Sequence, residues 1–451
     1  MNGAPFASPD AIRTRFSQAM SEMYRAEVPQ YGRLLEIVGA VNGRILAENP
    51  AFAAALARSD NLDRISLERH GAIRLGTPAE LSGMRRLFAV MGMYPVGYYD
   101  LSVAGVPVHS TAFRPITEAS LARNPFRVFT SLLRLELIED DGLRQTAKDL
   151  LARRRIFTEG AQCLIERAEQ QGGLTEPEAE RFVKEALETF RWQSTASVDA
   201  VLYARLHEAH RLIADVVCFR GPHINHLTPR TLDIDAVQEM MPQYGLKAKA
   251  VIEGPPRRAC PILLRQTSFL ALEEAILFPR ADGTHAIGTH TARFGEIEQR
   301  GMALTRTGRA LYDRLLAAAR ENPSAFMAFP DDEEAIRVKG LGFFRYSLAR
   351  SAAPDEIAAC DASLPRLIAA GILEATPITY EDFLPVSAAG IFQSNLGGTE
   401  PRSYAGQSMR PRFEEDLGAA VLDEFTLYEE MERASILSAF TSLGLDPPTA
   451  L

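Results

Sequence analysis

Two stretches of this chain, about residues 64–138 and 216–300, repeat one order of elements: β-type runs, a helix, and β-type runs again. In the first, ISLERHGAIRLG leads into the helix-like PAELSGMRRLFAVMG, and YPVGYYDLSVAGVPVHSTAFRP and FRVFTSLLRLELI follow. In the second, VVCFRGPHINHL precedes the short helical DIDAVQEMMPQYG, with AKAVIEG, PILLRQTSFLALEEAILF and ARFGEIEQRG after it. Short apolar or alternating runs bounded by Gly and Pro read as strands, and helical patterns between them give modules of sheet covered by helix. The stretch that separates them is helical, with Thr175 and Glu178 at capping-box spacing before an apolar run. Such a chain is expected to be α+β: two β modules closing around a shared cavity, elaborated by large helical insertions.

The expected divisions are an N-terminal helical segment (1–60), a first β module (61–140), a helical insert (141–214), a second β module (215–300) and a mixed C-terminal region closing the site (301–451). Ser8-Pro9-Asp10 supplies a cap and a first-turn proline. Ile12, Phe16, Met20 and Met23 then recur at helical spacing, and Leu34, Leu35, Val38, Val41 and Ile45 form a second series after Pro29.

Charge and apolar content narrow the function classes. With 49 basic against 58 acidic residues the chain carries −9, which disfavours a nucleic-acid partner, since phosphate binding needs clustered Lys and Arg. No apolar run approaches the roughly 18 residues that span a bilayer, so no membrane role is expected. MNGAPFASPDAIRTRF lacks the basic segment and apolar run of a secretory signal. Cys163, Cys218, Cys260 and Cys360 form no CxxC pair and read as reduced thiols of a cytoplasmic protein.

The chemistry lies in three segments. Alternate residues of a strand share a face, so RHGAIRLG puts His70, Ala72 and Arg74 together, opposite Gly71 and Ile73. Gly71 and Ala72 leave room for a bulky group near the backbone. The Cα atoms of His70 and Arg74 are about 13 Å apart in a strand. An extended arginine at one end of that span suits the far carboxylate of a short molecule bound at the other, through its bidentate fork. In GPHINHLTP, His223 and His226 differ by an odd number, so one is expected to ligate and the other to face away. RFGEIEQRG places Phe294, Glu296 and Glu298 on one face, where burying two glutamates is costly without a cation. A metal would offset one, and Arg293 or Arg300 could pair with the other. Two imidazoles and a carboxylate are a known ligand set for non-haem Fe(II) with open positions. The remaining histidines compete weakly. His285 and His290 follow a turn at Asp282-Gly283 and are expected to be exposed; His207 and His210 share a helix face without a third ligand; His109 has no acidic companion. Gln266, polar amid apolar strand residues, suggests a cavity wall.

ERHGAIRLG, GPHINHLTPR, LLRQTSF, RFGEIEQRGMALTRTGRALYD and LPVSAAGIFQSNL together resemble the 2-oxoadipate dioxygenase/decarboxylase (2-hydroxyglutarate synthase) family, in order and over nearly the whole chain. The resemblance implies a vicinal-oxygen-chelate-like β core around a metal cavity. It also implies an Fe(II) held by His70, His226 and Glu296, with Arg74 on the substrate carboxylate and Val386 and Ser387 lining the substrate site. The E-I-x-Q-R of Glu296 to Arg300 is similar to the strand that gives 4-hydroxyphenylpyruvate dioxygenase its metal glutamate, which favours Glu296 over Glu298. The implied reaction turns 2-oxoadipate and O2 into 2-hydroxyglutarate and CO2, a step of lysine catabolism. The competing expectations are another metal-dependent isomerase or lyase on the same core, with a fourth ligand such as His223 or Glu298, and a metal- or small-acid-binding protein without turnover.

Overall fold

The two β stretches meet edge to edge. In the computed structural model, which describes residues 5–58, 62–319, 321–361, 363–384 and 409–446, the first stretch supplies β1 (Arg69–Leu75), β2 (Tyr94–Asp100), β3 (Val108–Arg114) and β4 (Arg127–Leu133). The second supplies β5 (His226–Pro229), β6 (Leu264–Ser268), β7 (Glu273–Pro279), β8 (His285–Thr291) and β9 (Phe294–Arg300). Seven of these form one curled mixed sheet in the order β2-β3-β4-β1-β5-β9-β6, while β7 and β8 pair as a separate hairpin. The fold is α+β as expected, and the seam between the two stretches is the antiparallel pair β1–β5.

Register at the seam decides which side chains meet, because residues directly opposite in neighbouring strands point to one face. Ala72 lies opposite His226 and His70 opposite Thr228, so His226 and Thr228 share the face of His70 and Arg74. In the parallel pair β5–β9 His226 lies opposite Phe294, which adds Glu296 and Glu298 to that face, and in β1–β4 His70 lies opposite Arg127.

The opposite face is apolar and carries helices. Ile73, Leu75, Leu227 and Ile297 belong to one buried cluster with Ile12, Phe16 and Met20 of the helix Pro9–Glu27 and Leu34, Val38 and Val41 of the helix Pro29–Glu48. Ser8 accepts from the Ala11 amide and Pro9 begins the first helix, as its sequence implies. Gly71 belongs to this face: a Cβ there would lie 2.6 Å from Ile224 Cδ1 and 2.9 Å from the His226 carbonyl oxygen. The expectation that Gly71 opens space at the functional face is therefore corrected. It lets β1 approach the chain entering β5, and Ala72 is the small residue on the functional face.

The insert forms the helices Asp141–Arg153, Glu159–Gln171, Glu176–Leu187, Ala200–Ala209 and Arg211–Val217, and the Thr175–Glu178 capping box is present. The described residues divide into two compact units, one falling within 1–253, 266–299 and 383–422 and a second within 254–265, 300–382 and 423–451. The second contains the hairpin β10 (Phe344–Leu348) with β11 (Leu373–Pro377) and the helices Arg306–Ala319 and Glu424–Ser442. Among the described residues no helix is long and apolar enough to cross a membrane.

Candidate metal centre

His70, His226 and Glu296 come together on the sheet face described above, each from a different strand, with one ligand atom apiece within 4.8 Å of the others. All three are buried, Glu296 completely. His70 Nε2 lies 3.0 Å from Glu296 Oε1. Gln266 Nε2 donates to the same oxygen at 2.6 Å from β6, and Thr228 Oγ1 donates to it at 3.3 Å from β5. Glu296 Oε2 and His226 Nδ1, by contrast, have no hydrogen-bond partner. Buried polar atoms are nearly always paired, so a free carboxylate oxygen and a free imidazole nitrogen in one cluster mark donor atoms that suit a divalent cation. Two nitrogens, one oxygen and no thiolate fit a borderline metal such as Fe(II).

Charge gives the same answer. Burial works against a protonated His70, yet Glu298 and Glu296 outweigh it and hold His70 above the ordinary imidazole range. Burial pushes His226 down to about 3, which keeps a neutral ring with its lone pair available. Burial would raise Glu296, but the imidazoles of His226 and His70 hold it below its usual value. The cluster thus favours an ionised carboxylate beside a positive centre.

The neighbours of the three are themselves fixed. Glu298 Oε2 faces the other nitrogen of His70, Nδ1, at 2.8 Å, an ion-pair contact rather than an aligned hydrogen bond. The two glutamates of β9 therefore take opposite ends of one imidazole. Arg127 Nη1 lies 3.9 Å from Glu298 Oε1, and Arg127 Nη2 donates to Glu68 at 2.8 Å. Arg230 donates to the second Glu68 oxygen at 2.8 Å. Phe383 packs edge-on against His70 with ring centres 5.0 Å apart, and Phe294 stacks on His226 at 4.8 Å.

Here the sequence reading needs correcting. Arg293 does not pair with Glu298. Arg293 binds Glu27 and Glu274, and Arg300 donates to the carbonyls of Tyr380 and Asp382. Arg127 has that place, across the β1–β4 pair. His207 and His210 form no pair, because the helix ends at Ala209 and His210 caps the next one.

Arg74 is buried on the face of His70, and its Nη1 donates to Asp215 Oδ2 at 2.5 Å. Asp215 also gathers His223 and His290 into a second buried group of two imidazoles and a carboxylate. So His223 and His226 do part company, but the partner of His223 is a residue the sequence reading passed over. His290, expected at the surface, is buried. Asp215 in LIADVV, a lone carboxylate inside an apolar helix, was the available signal. Val386 and Ser387 lie outside the described residues.

The comparisons with known proteins agree with the site. The model of a family described as 2-oxoadipate dioxygenase/decarboxylase matches residues 16–395. An Escherichia coli protein named 2-oxoadipate dioxygenase/decarboxylase is 60% identical over 438 residues, covering 94% of this chain and 97% of its own. A Pseudomonas putida protein of the same name is 54% identical over 458 residues, covering 98% of each. The crystal structure of the hydroxyglutarate synthase from Pseudomonas putida in complex with 2-oxoadipate superposes with a TM-score of 0.88 at 51% identity, over 98% of this chain and 100% of that one. Matches of this identity and coverage, along a chain whose buried histidines and glutamate meet on one sheet face, place it in the 2-oxoadipate dioxygenase/decarboxylase family.

Proposed function

We propose that this protein is a cytoplasmic non-haem Fe(II) enzyme that converts 2-oxoadipate and O2 into 2-hydroxyglutarate and CO2, in lysine breakdown. The observation that carries the reading is the convergence of His70, His226 and Glu296, buried and with unpaired donor atoms, in a chain of this family. These three would hold the iron. When bound, Fe(II) supplies the activation of O2 that couples loss of CO2 to hydroxylation of the shortened chain.

The protein's share is position and exclusion of water. Glu298, with Arg127 and Glu68 behind it, fixes the ring of His70 from the far nitrogen, the usual support of a ligating histidine. Gln266 and Thr228 hold the Glu296 carboxylate in one rotamer. Phe383 and Phe294 cover the two imidazoles. Arg74 takes the carboxylate of the substrate remote from the metal, so that one methylene is presented for reaction; this is positioning rather than acid–base work. Val386 and Ser387 are assigned to the substrate site by resemblance.

A four-ligand isomerase or lyase site is not favoured. Glu298 engages the opposite nitrogen of His70, and His223 belongs with Asp215. Four unbridged cysteines suit a reducing compartment. The test is O2 uptake by Fe(II)-loaded protein across a 2-oxo acid series. With 2-oxoadipate, O2 consumed, CO2 released and 2-hydroxyglutarate formed should match one to one to one. Uptake without 2-hydroxyglutarate, or no uptake, overturns the reading.

A further inference from the structure

The Asp215 group has the ligand types of the metal centre but different surroundings. Asp215 Oδ2 accepts from Arg74 at 2.5 Å, and Oδ1 lies 2.9 Å from His290 Nε2 and 3.3 Å from His223 Nε2. The far nitrogen of His290 is 2.8 Å from the Tyr203 hydroxyl. His223 is 1% exposed, and neither of its ring nitrogens has a hydrogen-bond partner; its approach to Asp215 lacks hydrogen-bond geometry. Trp192 stands edge-on to it at 4.7 Å, with the Arg293 guanidinium over the indole at 4.3 Å. An imidazole so deeply buried without a hydrogen bond is costly and points to something that His223 meets in function.

Charge selects the kind of ligand. Around the first group the far nitrogen of His70 faces a carboxylate, whereas here the far oxygen of Asp215 faces a guanidinium. Like charges close together in a low-dielectric site repel strongly, so Arg74 opposes a cation. Arg74 and Asp215 neutralise each other, and an imidazole N–H beside an arginine fork is a pair of donors that suits a carboxylate. His70 and Arg74 share one face of β1, so a molecule held at its oxo-acid end by the first group extends along that strand toward the second.

We propose that His223 is the second donor, with Arg74, to the substrate carboxylate remote from the metal, and that Asp215 is the positioning residue that holds Arg74. This rests on the function proposed above and deepens it. A 2-oxo acid without that carboxylate leaves the buried His223 imidazole without a hydrogen bond, and this is the strong way to reject an analogue.

The chain has one tryptophan, Trp192, and it lies against His223, so its fluorescence reads this end of the site directly. Fe(II)-loaded protein is titrated under argon with 2-oxoadipate and with 2-oxohexanoate, its monocarboxylic counterpart, and metal content is measured alongside. His223→Phe keeps the aromatic contact and removes the donor. It should weaken 2-oxoadipate about tenfold or more while 2-oxohexanoate shifts less than about twofold, with bound metal unchanged. His223→Gln should restore most of the loss. Asp215→Asn, close in volume, should weaken the same ligand selectively if His223→Phe folds poorly. Unaltered preference in all variants overturns the proposal, as does a second equivalent of metal in the wild type that His223→Phe removes. If the wild type neither binds nor turns over 2-oxoadipate, the proposed function falls and this inference with it; normal wild-type turnover with indifferent variants removes the inference alone.

Discussion

Two buried groups in this chain, His70/His226/Glu296 and Asp215/His223/His290, contain two imidazoles and one carboxylate each, at comparable separations. Composition does not tell them apart; the next residues outward do. The first is backed by Glu298, and its carboxylate keeps one oxygen without a hydrogen-bond partner. The second is backed by Arg74, with both oxygens of Asp215 contacted. The comparison teaches that a ligand set read without its surroundings identifies a candidate but not the sign of the charge it will hold.

The largest effect should come from the first group. His70→Ala, His226→Ala and Glu296→Ala should each lose nearly all bound iron and all turnover, measured as metal per chain and as O2 uptake. If Glu298→Ala loses the metal and Glu296→Ala keeps it, the two glutamates have been assigned the wrong way round. Next, Arg74→Ala should abolish turnover of 2-oxoadipate with iron content near wild type, which separates the two groups in one variant; retained turnover would sink the role given to Arg74. Glu298→Gln, acting through His70, should weaken iron binding by roughly 10- to 100-fold, and unchanged affinity would show that the carboxylate behind His70 is inert. The smallest expected effect lies on the opposite face. Gly71→Ala pushes a methyl group onto Ile224 and the His226 carbonyl, at a cost of about 1–3 kcal/mol in stability. It should lower the melting temperature and loosen iron while the carboxylate preference at the second group survives.

Much of the first group was legible because strand parity is local. His70 with Arg74, and Glu296 with Glu298, follow from counting by twos, and the Ser8 cap and the Thr175–Glu178 box follow from short-range hydrogen bonding. What was illegible depends on pairing between distant segments. The partner of Glu298 is Arg127, which β1–β4 pairing sets beside His70, whereas a reading along the chain offers only its neighbours Arg293 and Arg300. His290 follows a turn and so looked exposed, but it meets Asp215 from a helix 75 residues earlier. The choice of His226 over His223 came from family resemblance, since parity states only that the two diverge. Gly71 was placed on the right face but given the wrong neighbour, because what lies across a sheet is not written in the strand.

The seam between β1 and β5 also has a consequence for how the molecule is made. His70 belongs to the first β stretch and His226 and Glu296 to the second, so the centre is split across a pairing of high sequence separation. During synthesis the N-terminal stretch is complete long before its partner emerges, and the three donors exist together only when about two-thirds of the chain has left the ribosome. A metal can therefore be held only late in synthesis, and the ion of the function proposed above would staple the early half of the sheet to the late one.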